Sequence, residues 1–401
     1  MQCRVLFITW DGPQVSYLES LFLPIFERLE THGIHFDVLQ FRWGDPADTV
    51  RIAKLCRSAK IGYRPILIHR SPPVAGPFAT AVFGRREVRA AVRDFASELL
   101  MPRSLMPALA VLAAGGLRPI IYDADGLEAD ERVDFGGLSR RSVTYRLLRK
   151  LEKQMVQRSQ SVLVRTNAAA EVLAARTGVS LGHFHTVTNG RDVTLFSPGT
   201  AADRLRVRAE LNLPPHAPLL VYLGSVGPKY RLNLVAEFTS IVVGRRDDAR
   251  LLLLSGSPHA AHAEIVRQNP QLDHVIQAMR VAPEQVARYL RAADVGFAFP
   301  APTFSTQAVV ATKVAEYLLC GVPVIGATEV GDTTAAVDAG VFLDEAAGPM
   351  AAADWLLDTV IPNRERFREA ARAVGAENFS LERAVHDYIG AISLCRDGRQ
   401  H

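Results

Sequence analysis

Lys313 and Glu316 are three residues apart in the stretch TKVAEYLL, so on a helix they share one face. Ahead of them, Thr303 to Val310 is a small polar loop that includes Ser305 and Thr306. A loop running into a helix start presents unpaired backbone N–H groups and a positive dipole end, which suits a phosphate. A cation beside an anion there has a ready division of labour. Lys313 can neutralise phosphate charge while Glu316 accepts hydrogen bonds from sugar hydroxyls. The plain alternative is a solvated Lys–Glu pair worth a few tenths of a kcal/mol.

A second cluster is Gly224-Ser225-Val226-Gly227-Pro228-Lys229-Tyr230-Arg231, directly after the apolar run Pro218 to Leu223. Glycines let a backbone approach a ligand closely, and Lys229 or Arg231 would offset diphosphate charge. Ordinary solvation of two basic loop residues is the competing reading. A third cluster, Asp123-Ala124-Asp125-Gly126, follows the apolar run Pro119 to Tyr122. Paired aspartates after a strand suit either a Mg²⁺-dependent phosphatase or polar contacts to a second substrate. Asp11-Gly12 and His69 also close apolar runs, and both are candidates for the rim of a cleft.

These clusters need elements to hold them. Arg4 to Trp10, Phe36 to Phe41, Pro65 to His69, Pro119 to Tyr122 and Ser161 to Arg165 read as strands. Leu18 to Leu29, Arg140 to Lys153 and Ala168 to Arg176 read as helices, the last capped by Thr166-Asn167. Residues 85–118 mix arginines with apolar residues, as an amphipathic element would, either resting on a bilayer or split between solvent and core. Strand, glycine turn, helix, strand is the opening of a doubly wound α/β domain, whose ligands lie beyond the strand carboxyl ends. Asn189-Gly190 predicts a left-handed turn closed by Asp192. The proline-rich stretch Pro198 to Pro218 reads as a linker. Beyond it, Pro218 to Leu223, Leu251 to Leu254, His274 to Val281, Val295 to Phe299 and Val322 to Ile325 predict a second parallel sheet. Helices follow at Arg364 to Val374 and Leu381 to Leu394. The predicted boundaries are 1–197, 198–375 and a terminal helix in 376–401.

The stretch TKVAEYLLCGVPVIG, followed by Gly331-Asp332, closely resembles the donor-site helix of retaining nucleotide-sugar glycosyltransferases of family four. That family carries P-T-K-x-x-E-Y-L-A-C-G-x-P-V-I and then a G-D loop. TVTNGRDVTLF resembles its N-G-V-D-x-x-x-F segment, which ends the first domain. The resemblance implies the GT-B architecture: two doubly wound domains facing across a cleft, with the last helix crossing back onto the first. It implies that Glu316 holds the donor ribose and that the turn at Arg280 frames the base. Gly12, Gly224, Ser225, Gly256, Arg280, Ser305, Thr306, Gly331 and Asp332 are then donor-side residues. Asp11, His69, Asp123 and Asp125 are acceptor-side residues. Lys229, Arg231, Lys313 and Glu316 carry the chemistry, without a metal or other cofactor. The sequence departs from the pattern at Ala308, where many relatives have a first glutamate, at Ala311 in place of proline, and at Ser225 in place of arginine. A subgroup that makes bacterial surface glycans also lacks the first glutamate. Asp123-x-Asp125-Gly126 separately resembles the first motif of haloacid-dehalogenase-like phosphatases, and a D-x-D pair is also the metal site of another glycosyltransferase fold.

Composition bounds the rest. The chain has 401 residues and is 48% hydrophobic, enough for two cores. Net charge is +4, too small for a nucleic-acid partner. Residues 1–190 hold 25 Lys and Arg against 18 Asp and Glu, whereas 191–401 hold 21 against 24. A basic first half fits an anionic acceptor or membrane surface. The four scattered cysteines indicate no disulfide framework or zinc site and fit a reducing cytoplasm. No apolar run is long enough to span a bilayer, so any membrane contact is expected to be peripheral. The expected partners are a nucleotide-sugar donor and a glycan, lipid-linked or small-molecule hydroxyl acceptor. The alternatives are the phosphatase at Asp123/Asp125 and a non-catalytic member of a glycan-assembly complex.

Overall fold

The structure is a computed structural model that describes residues 3–12, 17–310, 312–328, 331 and 333–397. It divides into two compact units. Unit 1 comprises residues 1–190, 307–309 and 381–401; unit 2 comprises 191–306 and 310–380.

Unit 1 is built on β1 (Cys3–Asp11), β2 (Ile34–Arg42), β3 (Tyr63–Leu67), β4 (Leu99–Pro102), β5 (Ile121–Asp123), β6 (Ser161–Val164) and β7 (Phe184–Thr186). The ladders run β3-β2-β1-β4 and β5-β6-β7, all parallel. Parallel bridges Leu100–Ile120 and Arg103–Asp123 join them into one sheet. Side chains alternate across a strand, and β1 sorts accordingly. Cys3, Val5 and Phe7 enter one buried layer, while Leu6 and Ile8 enter the other. The first layer is closed by the helix Leu23–Glu30 and by Leu381, Ala384, Tyr388 and Ile392 of the terminal helix Leu381–Asp397. The second is closed by the helices Arg85–Asp94, Leu105–Ala114, Val143–Arg158 and Asn167–Thr177.

Several elements differ from expectation. Residues 85–118 are not one amphipathic element, because β4 lies inside them, wholly buried beside β1. The run Leu99-Leu100-Met101-Pro102 is too short to separate by periodicity from the apolar helix that follows it. The basic helix starts at Val143 rather than Arg140, because the Ser142 side chain accepts from Tyr145 N and caps it there. β3 stops at Leu67, so His69 lies beyond the strand. Neither Asn189 nor Gly190 takes a positive φ. Asn189 is instead held by Arg165 Nε at 3.0 Å, while Asp192 Oδ1 closes the segment by accepting from Thr194 N and Leu195 N.

Unit 2 carries β8 (Leu219–Leu223), β9 (Arg250–Leu254), β10 (Ile276–Met279), β11 (Val295–Ala298), β12 (Val324–Gly326) and β13 (Phe342–Asp344). Their order is β10-β9-β8-β11-β12-β13, all parallel. β13 is a sixth strand that its short sequence, Phe342-Leu343-Asp344, does not advertise. The stretch 198–218 is built into this unit rather than serving as a linker. Its helix Ala201–Glu210 is capped by the reciprocal Thr200–Asp203 box. From it Arg204 and Arg208 reach the buried carboxylate of Asp294, which also accepts from Arg364 Nε and Leu219 N. Those arginines hold Asp294 below the usual carboxylate range against the burial that would raise it. Among the described residues no helix is long and apolar enough to cross a membrane.

Candidate active site

The helix Thr312–Leu319 is seated by one residue. Tyr317 lies flat on Gly296 of β11, where a Cβ would come within 2.7 Å of its ring. Its hydroxyl accepts from Leu223 N at 2.7 Å, at the end of β8. That bond fixes the helix against the strand that feeds the glycine turn. Gly321, at φ +75°, ends the helix. At Gly375 the Arg364–Phe379 helix passes so close that a Cβ would lie 2.7 Å from Leu319 N.

The seating brings Lys313 to the glycine turn. A Cβ on Gly224, which sits at φ +146°, would lie 2.6 Å from Lys313 Nζ. The ammonium lies 4.5 Å from the Tyr222 ring centre and 4.8 Å from that of Tyr230. Aromatic faces stabilise a cation but supply no hydrogen-bond acceptor comparable to water. Burial therefore pushes the Lys313 pKa down to about 7, with Glu316 opposing the shift. A lysine held near neutrality gains charge when an anion arrives. Tyr222 is fixed by its hydroxyl, which donates to Ser225 O at 2.6 Å.

Glu316, one turn further along, accepts from Arg191 Nε at 2.8 Å. Arg191, Tyr222, Tyr230 and Tyr317 are site residues that the sequence reading does not single out. Arg191 left one trace, since it stands where the N-G-V-D pattern has valine.

The other donor-side residues divide. Arg231 is held in an ion pair through Nη2, which donates to both oxygens of Glu345 at 2.6 Å and to Pro300 O at 2.9 Å. Of the two basic candidates in the turn, this commits one to an internal ion pair. Lys229 holds the turn through its carbonyl, which accepts from Ala301 N. Ser225, Gly256 and Arg280 are exposed, at the ends of β8, β9 and β10. Thr306 is buried, and its hydroxyl donates to Ala301 O and Thr303 O, so it braces the loop rather than offering a donor. Ser305 is buried beside Thr303 Oγ1. Within the 303–310 loop, Gln307–Val309 group with unit 1. There Gln307 O accepts from Thr166 Oγ1, and Ala308 is fully buried in an apolar cluster with Ala124 and Leu127. A glutamate at 308 would bury a charge among apolar side chains, which explains the small residue. Gly331 takes φ +85°; Asp332 and Ala311 lie outside the described residues.

In unit 1, Asp11 ends β1 and accepts from Gln40 Nε2 at 2.7 Å and Thr9 Oγ1 at 3.1 Å. Burial raises its pKa, and the Gln40 bond and Arg103 oppose the rise. Gly12 is accounted for by packing, since a Cβ would come within 2.5 Å of the Trp43 indole. His69 is exposed, with its backbone N held by Thr80 Oγ1. Asp123 is not a substrate contact: it is 0% exposed. Its Oδ2 pairs with Arg103 Nη1 at 3.2 Å and Arg165 Nη2 at 2.9 Å. Asp125, at φ +58°, pairs through Oδ1 with Arg103 Nη2 at 2.5 Å. Two buried guanidiniums give this pair a field hostile to Mg²⁺. Among the described residues no three His, Cys, Asp or Glu side chains group as metal ligands. The phosphatase reading loses its donor set on these ion pairs.

Comparison with known proteins places this architecture. The chain has the GT-B fold. The UDP complex of the Anabaena protein HepE superposes over 97% of this chain and 99% of its own, with a TM-score of 0.72 and 14% identity. Sucrose-phosphate synthase from Thermosynechococcus elongatus does so over 100% and 99%, with a TM-score of 0.70 and 18% identity. Residues 217–361, which lie within unit 2, match the family described as Glycosyl transferases group 1. A D-inositol 3-phosphate glycosyltransferase of Xylanimonas cellulosilytica is 30% identical over 239 residues, 56% of this chain and 54% of that protein. The chain spans between about a third and three fifths of the length of the curated relatives it matches.

Proposed function

We propose that this protein is a metal-independent, retaining glycosyltransferase that moves a sugar from a nucleoside diphosphate to a hydroxyl acceptor. The observation that carries the proposal is the Lys313 ammonium held against Gly224 in the first turn of a helix, with Glu316 one turn along the same face. As the glycosidic bond breaks, the leaving diphosphate gains charge. Lys313, Lys229 and the amides of the Gly224 turn stabilise it, the work that other enzymes give to a metal ion. Glu316 accepts from the donor ribose. The acceptor oxygen attacks from the face the diphosphate leaves, and a phosphate oxygen takes its proton, so no protein nucleophile is needed. The HepE crystal forms with UDP and with UDP-glucose support a uridine donor.

The acceptor belongs to surface polysaccharide or glycoconjugate synthesis, at the cytoplasmic face of a membrane. In support, the Val143–Arg158 helix exposes Arg146, Lys150, Lys153 and Arg158 around Val143 and Leu147, themselves 63% and 51% exposed. Such a face suits peripheral contact with anionic lipid.

Calorimetric titration with UDP, GDP and ADP in EDTA tests the proposal. Saturable heat with one of them is the expected result. No heat with any would mark a binding module without a donor site, and heat that needs Mg²⁺ would overturn metal independence.

A further inference from the structure

We propose that Arg191 is a positioning residue for Glu316 and thereby sets how strongly the site selects a ribose bearing both hydroxyls. This rests on the reading that Glu316 grips the donor ribose. The Arg191 and Glu316 side chains are only 6% and 14% exposed, and Nε meets Oε1 at 2.8 Å. Both ends of the pair are fixed within unit 2. Arg191 N donates to Phe379 O at 2.9 Å and its backbone bridges Ser380. Glu316 rides on the helix that Tyr317 ties to Leu223 N.

The chemistry of a diol grip explains the pairing. An ionised carboxylate only accepts, and its two oxygens offer about four lone-pair positions. One charge-assisted bond from Arg191 therefore leaves capacity for two ribose hydroxyls while holding the carboxylate in one rotamer. A flexible glutamate would meet the diol in many orientations and discriminate poorly. Lys313 on the same helix face can supply charge but not this fixed geometry, since its ammonium lies against the two tyrosine rings.

The test is a ratio. Affinity is measured by calorimetry for whichever of UDP, GDP and ADP binds, and for its 2′,3′-dideoxy counterpart. The wild-type protein is expected to prefer the full ribose by about tenfold to a hundredfold, as hydrogen bonds to a charged group imply. Arg191→Met is expected to bring the ratio to within about threefold of unity while affinity for the dideoxy ligand holds. Arg191→Lys, which keeps the charge but not the planar fork, is expected to lie between them. A general structural role would weaken both ligands alike and leave the ratio unchanged; that result overturns the inference. If Arg191→Met does not fold, the Arg191→Lys ratio decides alone, and a wild-type value there is fatal. Glu316→Gln separates this inference from the reading beneath it. A ratio lost in Glu316→Gln but kept in the Arg191 variants sinks only the Arg191 role. A ratio kept in Glu316→Gln sinks the ribose grip itself, and with it the inference.

Discussion

Donor binding should consume a proton at alkaline pH, and Lys313 fixes how much. Burial against Tyr222 and Tyr230 pushes its pKa in the unbound protein down to about 7, with Glu316 opposing the shift. At about pH 8 only a tenth or so of the molecules carry the ammonium. A diphosphate favours the charged form, so binding of a nucleotide sugar takes up about 0.9 proton there and about 0.1 at pH 6. Affinity accordingly falls about tenfold per pH unit above 7, or roughly 1.4 kcal/mol each. A nucleotide sugar is the right ligand because its diphosphate ester does not titrate in this range, whereas a free diphosphate does. Calorimetry in two buffers of different ionisation heat counts the protons. In Lys313→Arg, whose guanidinium stays charged, the uptake should vanish wherever binding survives. Intact binding at pH 8 with the same heat in both buffers refutes the reasoning. The sign also holds without ligand. A lysine whose folded pKa is lowered leaves the unfolded chain binding more protons, so stability rises with pH from about 7 toward the ordinary lysine range, and Lys313→Met should flatten that rise in denaturant titrations.

Other outcomes follow from the same contacts. Lys313→Ala and Glu316→Ala should each lower transfer of a radiolabelled sugar by about a hundredfold or more, with circular dichroism unchanged and with EDTA harmless to the wild type. Asp123→Ala leaves Arg165 buried without its carboxylate and Arg103 with Asp125 alone; urea unfolding should show a loss of about 3–5 kcal/mol, and a loss below 1 would show that the site tolerates an unpaired Arg165. Tyr317→Phe strips the Leu223 N–H of its acceptor, which should cost about 1–3 kcal/mol in the same assay and weaken nucleotide binding as the helix loosens.

Some of this was written in local sequence. Buried parallel strands are short apolar runs, and both halves of the chain announce them. The 312–319 helix is bounded by its own neighbours, Gly321 and Pro323, so its position and the shared face of Lys313 and Glu316 could be read directly. β4 could not, because four apolar residues in a row fit a helix turn equally well, nor could β13, whose three residues include only two apolar ones. Long-range contacts decided the site. Nothing near residue 313 foretells that its ammonium meets Tyr222 and Tyr230, about ninety residues earlier, or that Arg191 reaches Glu316. Asp123 and Asp125 looked like open carboxylates until Arg103 and Arg165 closed on them. The sequence gives no sign that Glu345, over a hundred residues away, pairs with Arg231. A residue's type states which charge it can carry, whereas its pKa and its freedom to meet a ligand depend on what the folded chain brings within a few ångströms, and spacing along the sequence does not contain that.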